Sequence, residues 1–210
     1  KGSFQNTDEA MEFYLTSLAE MGQIAAEEIA PTAEENDREG AVYENGKVHL
    51  PKKLEVNLKK LADFGSFAAP ISKKYGGLNL PRAVQLIVLD MLGQACPNTA
   101  LTVCAFSMGD FLQRFGTEEQ KQRFLPPLIK NELTTAMALT EPQAGSDLGA
   151  LRTHGRKEGH KYIVNGTKIF ISNGNADLIF ALVRTDPQST GLRGLSVLLL
   201  EREYQGRENV

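Results

Sequence analysis

Two short segments carry the side chains best suited to binding a ligand. The first, residues 137–147, reads Met-Ala-Leu-Thr-Glu-Pro-Gln-Ala-Gly-Ser-Asp. It is apolar up to Leu139 and then supplies hydroxyls from Thr140 and Ser146 and a carboxylate from Glu141. Proline restricts the backbone and glycine frees it, so this composition predicts a short strand that runs into a tight loop. Backbone N–H groups at such a strand end are free of the sheet and available to a ligand.

The second segment, residues 170–174, reads Phe-Ile-Ser-Asn-Gly. We expect residues 167–172 to form one strand of a hairpin, in which successive side chains project to opposite faces. Phe170 and Ser172 would then share one face, while Ile171 packs beneath. An aromatic ring and a hydroxyl on the same face can contact the same planar ligand.

The composition of the chain argues against several classes of protein. Its 210 residues carry a formal net charge of −3 without a basic stripe, which disfavours nucleic-acid binding. No apolar run is long enough to span a bilayer and no signal peptide is visible, so we expect a cytoplasmic protein. The two cysteines, Cys96 and Cys104, fit a reducing compartment, and the three histidines are scattered, so no metal site is predicted.

The hydrophobic period of the chain changes near residue 133. Apolar residues recur at helical spacing before that point and fall into short strand-like runs after it. We therefore predict an α+β protein, with an all-α domain over residues 1–133 and an antiparallel β domain over residues 134–210. The predicted strands cover residues 134–139, 161–164, 167–172, 178–184 and 195–200. Asn165-Gly166 is interpreted as the turn of a hairpin.

Residues 98–114 are interpreted as one apolar helix of the first domain. Val103, Cys104 and Ser107 give it small and medium side chains where a structural helix more often carries Leu or Phe. Such a helix can border a ligand pocket, and simple helix packing explains it equally well. Thr117-Glu-Glu-Gln120 forms a capping box that opens the next helix.

The two binding segments resemble the flavin- and thioester-binding segments of the acyl-CoA dehydrogenase family. The run Thr-Glu-Pro-Gln-Ala-Gly-Ser-Asp at residues 140–147 carries most of the resemblance, and the segment from Phe170 follows at the spacing usual for the family. Residues 74–80 and 115–126 resemble a surface turn and the capped helix of the family's N-terminal domain. The resemblance therefore covers nearly the whole chain.

The resemblance implies a protein in three parts, of which this chain holds less than the whole. Family members have a helical N-terminal domain, a β middle domain and a C-terminal four-helix bundle. The sequence begins with Lys1 and stops at Val210, so we expect an incomplete β domain and a longer parent protein. The family's catalytic glutamate comes from the bundle, so no catalytic residue is assigned in this chain. Glu141 is assigned to loop structure and not to the role of base.

FAD is the cofactor that the resemblance implies. Leu139 and Thr140 match the positions that hold the pyrimidine edge of the flavin, with the Thr140 hydroxyl as an added partner. Phe170 stands where the family commonly has Trp against the flavin. Ser172 stands where it commonly has Thr bonded to the reactive nitrogen. The expected cofactor-binding residues are Met137, Leu139, Thr140, Phe170, Ile171 and Ser172.

An acyl-CoA thioester is the substrate that the resemblance implies. Ser146 matches a residue that contacts the pantetheine or phosphate region of coenzyme A, and Gly145 lets the backbone approach closely. The helix over residues 98–114 corresponds to one that lies beside the acyl chain. Gln143 departs from the family, which commonly has a small residue there, and a larger side chain could narrow or re-aim the thioester channel. The expected substrate-binding residues are Gly145, Ser146, Val103, Cys104 and Ser107.

The leading interpretation is an FAD-dependent acyl-CoA dehydrogenase that introduces an α,β double bond and passes electrons to an electron-transfer flavoprotein. The resemblance also implies a homo-oligomer, a tetramer or a dimer, and a mitochondrial matrix location in a eukaryote. One alternative is an acyl-CoA oxidase or a flavin monooxygenase of the same fold. The other is a non-catalytic fragment that binds acyl-CoA or a protein.

Overall fold

The computed structural model describes residues 4–106, 108–204 and 207–208. Contacts divide the chain into two compact units, residues 1–132 and residues 133–210. Helices dominate the first unit, and the second is built around a sheet. The predicted α+β class is therefore confirmed.

Seven α-helices lie within the described residues of the first unit. They are α1 Thr7–Gln23, α2 Ala33–Glu39, α3 Lys52–Asp63, α4 Arg82–Ala95, α5 Pro97–Phe106, α6 Gly109–Phe115 and α7 Glu118–Ile129. A π-helical segment, Ile24–Ile29, and a 3-10 turn, Ala30–Thr32, connect α1 to α2. The turn contains Pro31, which lacks the N–H that an uninterrupted α-helix would need at that point.

The core of the helical unit forms around α3. Leu54, Leu58 and Leu61 are buried, and their spacing of three and four residues places them on one face of that helix. They pack in one cluster with Met21 of α1 and Leu92 of α4. The periodic leucines of the sequence thus mark the face that α3 buries.

The prediction of a single helix over residues 98–114 is wrong, because α5 and α6 cover this stretch. Glycine disfavours a continuous helix, and a side chain added at Gly109 would meet Ile71 Cδ1 at 2.8 Å. The chain therefore begins α6 at a residue whose missing side chain allows close packing. The capping box is confirmed: Thr117 Oγ1 accepts from Gln120 N at 3.2 Å, and Gln120 Oε1 accepts from Thr117 N at 2.9 Å.

A short β-hairpin lies within the helical unit, so the prediction that this unit is all-α is wrong. β1 (Val42–Glu44) pairs antiparallel with β2 (Lys47–His49) around Asn45-Gly46. Both turn residues have a positive φ, 52° and 78°, as a two-residue hairpin turn of Asn-Gly type requires. The turn sequence is a sufficient local signal for this hairpin.

The second unit contains a five-stranded sheet within its described residues. Its strands are β3 Thr135–Ala138, β4 His154–Glu158, β5 Lys161–Asn165, β6 Leu178–Arg184 and β7 Leu195–Glu201. β6 pairs with β3 and with β7, and one bridge, His154 with Arg184, connects it to β4. β4 pairs with β5. Beyond this sheet, β8 (Glu203–Tyr204) pairs with β9 (Arg207–Glu208).

The sheet is mixed, so the prediction of an antiparallel domain is wrong in this respect. β3 runs parallel to β6, and residues 139–177 between them provide the long crossover that parallel strands need. The hairpin of β4 and β5 turns at Gly159-His160, since Glu158 pairs with Lys161. Asn165-Gly166 is therefore not the hairpin turn that the sequence predicts.

Candidate functional site

A tight turn follows β3 in the first predicted binding segment. Glu141 N donates to Ala144 O at 2.8 Å, and Ala144 N donates to Glu141 O at 3.1 Å. Met137, Leu139 and Thr140 precede the turn and are half-buried. The predicted change from strand to loop therefore occurs where the polar residues begin.

The Glu141 carboxylate anchors this loop. The residue is only 3% exposed. The carboxylate accepts the backbone N–H groups of Arg152 at 2.7 Å and Thr153 at 3.0 Å. It also accepts Gln143 Nε2 at 2.7 Å and Lys168 Nζ at 2.8 Å. Burial raises the pKa of this carboxyl, but the hydrogen bonds from Lys168 and the backbone outweigh burial and lower the pKa to about 2. A buried carboxylate that accepts hydrogen bonds from these four residues has a structural role.

The structure brings the two predicted binding segments together. Ile169 N donates to Thr140 O at 2.9 Å, and Lys168 Nζ donates to Leu139 O at 2.9 Å. A Cβ added at Gly166 would lie 2.1 Å from the Thr153 side chain. The glycine thus allows a close approach of two chain segments, which explains Asn165-Gly166 without a hairpin turn.

The predicted strand over residues 167–172 is wrong, because the structure has no strand there. Phe170 and Asn173 both adopt the left-handed conformation, with φ of 56° and 58°, which interrupts an extended chain. Asn173 Nδ2 donates to Thr135 O at 2.8 Å and so ties the following turn to β3. The shared face of Phe170 and Ser172 therefore no longer follows from strand alternation.

Phe170 is both conformationally strained and exposed. A left-handed conformation costs an L-residue roughly 1–2 kcal/mol, and the residue is 90% exposed. The adjacent Ile171 is half-buried against the core cluster of Ala138 and Val183, and Ser172 is exposed. Strained backbone positions cluster at ligand sites, so Phe170 stays a candidate ligand contact.

The residues predicted to contact coenzyme A lie on the surface after the turn. Gly145 and Ser146 are exposed. Asp147 Oδ1 accepts from Gly149 N at 3.0 Å and caps a short 3-10 turn. Arg184 of β6 donates to Gly149 O at 2.9 Å. These hydrogen bonds fix the backbone of residues 147–149, which directly follows Ser146.

Lys168 and Arg184 organise this region, and the sequence reasoning misses both. Arg184 reaches the carbonyl oxygens of Ser189 at 3.0 Å and Gly191 at 3.1 Å. It ends the apolar run of β6, and Lys168 precedes Ile169-Phe170. Basic side chains are rarely buried without partners. A basic residue at the end of a largely buried strand is therefore the signal that could have found Arg184. No such signal marks Lys168, whose neighbours Thr167 and Ile169 are exposed and half-buried.

A cavity of about 440 Å³ lies within the helical unit. Two of the predicted substrate residues, Val103 and Cys104 of α5, contribute to its wall. Val103 is buried and Cys104 is exposed. The third, Ser107, lies outside the described residues. Further apolar lining comes from Phe13, Met21, Leu89 and Leu92.

Within residues 4–106, 108–204 and 207–208, no helix combines the length and apolar character needed to cross a bilayer. Over the same ranges, no group of three or more His, Cys, Asp or Glu side chains is placed to hold a metal ion.

The chain thus combines a helical unit with a mixed sheet unit, and a glycine-containing loop follows the first strand of that sheet. The acyl-CoA dehydrogenase N-terminal domain model matches residues 15–132, and the middle domain model matches residues 136–209. The chain belongs to the acyl-CoA dehydrogenase family, whose members are FAD-dependent.

Individual relatives agree with this assignment. The short-chain specific acyl-CoA dehydrogenase of Clostridium acetobutylicum is 36% identical over 152 residues, covering 71% of this chain and 40% of that protein. A chain in the solved structure of the electron transferring flavoprotein of Acidaminococcus fermentans is 30% identical with a TM-score of 0.76, covering 94% of this chain and 49% of that one. The FAD complex of PigA is 26% identical with a TM-score of 0.75, covering 95% of this chain and 49% of that one. The matched residues of this chain cover less than half the length of each.

The residues present fit a flavin. The backbone N–H and the hydroxyl of Thr140 have no hydrogen-bond partner among the described residues, and such donors suit the ring oxygens of a flavin. The exposed ring of Phe170 belongs to the segment that bonds to Thr140 O through Ile169. Donors and an aromatic ring in neighbouring segments are the chemistry that a planar, partly polar cofactor requires.

Proposed function

We propose that this chain supplies the helical domain (residues 1–133) and the sheet domain (residues 134–210) of an FAD-dependent acyl-CoA dehydrogenase. The observation that carries the proposal is the hydrogen bond of 2.9 Å from Ile169 N to Thr140 O, which joins the two candidate flavin segments. Family membership and the FAD complex of PigA support the choice of cofactor.

The proposed flavin site uses residues of the sheet domain. Bound FAD would accept the hydride that leaves the β-carbon of the acyl thioester, and the protein would orient the ring. The backbone of Leu139 and Thr140 would bind its pyrimidine edge. Phe170 would cover one face, and the Ser172 hydroxyl would bond to the reactive nitrogen. Met137 and Ile171 would complete the cofactor site.

We assign the removal of the α-proton to a base outside this chain. An effective general base has a pKa near the operating pH. The Glu141 carboxyl, with a pKa of about 2, is too weak a base and is held by Lys168 and backbone N–H groups. The residues of this chain would therefore bind and orient, while the proton is taken elsewhere in the full-length protein.

An acyl-CoA thioester is the proposed substrate. Gly145 and Ser146 are exposed where the family contacts coenzyme A. The cavity beside α5 is the proposed acyl pocket, because mostly apolar side chains line it and acyl chains are apolar. Val103, Cys104 and Ser107 are the proposed acyl contacts.

An electron-transfer flavoprotein is the proposed electron acceptor, and the full-length protein is proposed to be a homo-oligomer. The likeness to a chain in the solved structure of the electron transferring flavoprotein of Acidaminococcus fermentans supports this acceptor. An oxidase or a monooxygenase of the same fold would instead react with oxygen. Stopped-flow mixing of the reduced full-length protein with oxygen or with an electron-transfer flavoprotein separates these functions.

The main experiment is an anaerobic titration of the full-length protein with acyl-CoA substrates of increasing chain length. We expect at least one of them to bleach the flavin absorbance of the wild type. Cys104→Phe should shift the preference toward shorter chains, because a larger side chain would occupy the cavity. Leu101→Phe is the matched control, since Leu101 lies on the same helix and is 66% exposed.

Two results would count against these assignments. A purified full-length protein that binds no FAD, or that no acyl-CoA reduces, would contradict the proposed function. An unchanged chain-length profile in Cys104→Phe, with flavin reduction intact, would contradict only the acyl pocket.

A further inference from the structure

Lys168 lies between the two segments proposed to hold the flavin. Its Nζ is 2.9 Å from Leu139 O and 2.8 Å from Glu141 Oε1. The lysine side chain is 12% exposed and the glutamate side chain 2%, so little solvent reaches the ion pair. The ammonium group thus connects the backbone at the end of β3 to a buried charge.

The contact to Leu139 fixes the orientation of one peptide group. A trans peptide holds its C=O and its N–H on opposite sides. Since Leu139 O faces Lys168, Thr140 N–H points away from Lys168. Ile169 N holds Thr140 O at 2.9 Å and fixes the next peptide group in the same manner. In this orientation, the Thr140 N–H has no hydrogen-bond partner among the described residues.

Glu141 keeps the ammonium group in place. Its carboxylate is bound to the backbone N–H groups of Arg152 and Thr153, so it cannot turn away from Lys168 without losing these hydrogen bonds. Removing one partner of a buried ion pair is strongly unfavourable. The position of Lys168 Nζ, and with it the Leu139–Thr140 peptide, is therefore defined by a rigid loop.

We propose that Lys168 is a positioning residue of the flavin site, which directs Thr140 N–H at the pyrimidine edge of FAD by holding Leu139 O. This inference rests on the proposed FAD site. Lys168 acts through the peptide group and contacts neither cofactor nor substrate. A lysine that served only the stability of the fold would leave the affinity for FAD and the potential of the bound flavin unchanged.

The test compares variants of the full-length protein. Lys168→Met removes the ammonium group and keeps an unbranched side chain, and Lys168→Arg keeps a cation that can donate to both oxygens. Lys157→Met changes an exposed lysine of β4 and is the matched control. The measurements are the Kd for FAD, the midpoint potential of the bound flavin, and the free energy of unfolding without FAD.

We expect Lys168→Met to bind FAD about tenfold more weakly, the loss expected for one well-placed hydrogen bond. Its flavin potential should fall, because a donor at the pyrimidine edge stabilises the charge that the ring gains on reduction. Lys168→Arg should restore most of both quantities, and Lys157→Met should match the wild type.

Wild-type affinity and potential in Lys168→Met would overturn the inference, even if this variant is less stable. If Lys168→Met does not fold, the double variant Lys168→Met/Glu141→Gln removes the unpaired buried carboxylate as well. Values of Kd and potential in it equal to those of Glu141→Gln alone would overturn the inference. A wild-type protein that binds no FAD would overturn the proposed function instead.

Discussion

Ionisation of the Glu141 carboxyl contributes to the stability of the folded protein. Its folded-state pKa of about 2 lies below the ordinary value of 4.5, so the ionised form is favoured by folding. A lowered folded-state pKa contributes stability that is complete above pH 4.5 and is lost as the pH falls toward 2. We predict that the wild type loses stability over this window partly because Glu141 becomes protonated.

Glu141→Gln tests this contribution. The variant should be less stable at pH 7, by on the order of 3 kcal/mol, because Lys168 loses its buried partner. It should also lose less stability than the wild type between pH 5 and pH 3, as measured by urea denaturation at several pH values. Glu119→Gln, at an exposed glutamate of α7, controls for the loss of one carboxylate. Equal acid sensitivity in Glu141→Gln and the wild type would contradict the role of Glu141.

Phe170 shows where prediction from residue types stops. Its aromatic side chain favours a strand, and alternation then predicts a face shared with Ser172. The observed φ of 56° depends on partners distant in sequence, since Asn173 bonds to Thr135 and Ile171 packs on the sheet. The types of the site residues are readable from the sequence, but the backbone that presents them is set by tertiary contacts.

The predictability of whole elements follows the strength of their local patterns. The apolar run of residues 178–184 becomes β6 with the predicted ends. β4 reads His-Gly-Arg-Lys-Glu, which has no apolar alternation, and is missed. The parallel pairing of β3 with β6 joins residues more than forty positions apart, as in Thr135 with Leu178, and no local pattern encodes it.

Gly166 directly follows β5 and is required where the chain passes close to Thr153. A Cβ at this position would lie 2.1 Å from Thr153 Oγ1 and 2.6 Å from Thr153 Cα. We predict that Gly166→Ala destabilises the protein by more than about 2 kcal/mol, because backbone must move and overpacking is costly. Chemical denaturation gives the value.

Gly159→Ala is the matched control for this prediction. Gly159 has a φ of 59° and nothing within 4 Å of an added Cβ, so its variant should lose only about 1 kcal/mol, from backbone strain. A Gly166→Ala protein as stable as the Gly159→Ala protein would show that the backbone at residue 166 need not pass so close to Thr153.

At the scale of the whole molecule, each unit has its own candidate site. The candidate flavin residues lie within residues 137–172 of the sheet unit, and the candidate acyl cavity belongs to the helical unit. Binding and orientation of cofactor and substrate are thus proposed for this chain, and proton abstraction is not. The matched residues cover 40% of the Clostridium acetobutylicum relative and 49% of the chain in the Acidaminococcus fermentans structure.

The last prediction concerns the 210-residue chain by itself. Mixed with FAD and acyl-CoA under anaerobic conditions, it should not bleach the flavin, whereas the full-length protein should. General-base catalysis contributes roughly a hundred- to ten-thousand-fold, and Glu141, with a pKa of about 2 and its hydrogen bonds to Lys168 and the backbone, is unsuited to supply it. Circular dichroism should first establish that the chain is folded. Bleaching by the folded chain would contradict the prediction, and Glu141→Gln would then decide the base. Loss of bleaching in a Glu141→Gln chain that still folds and binds FAD would assign the role to Glu141, and persistence of bleaching would assign it to another residue of the chain.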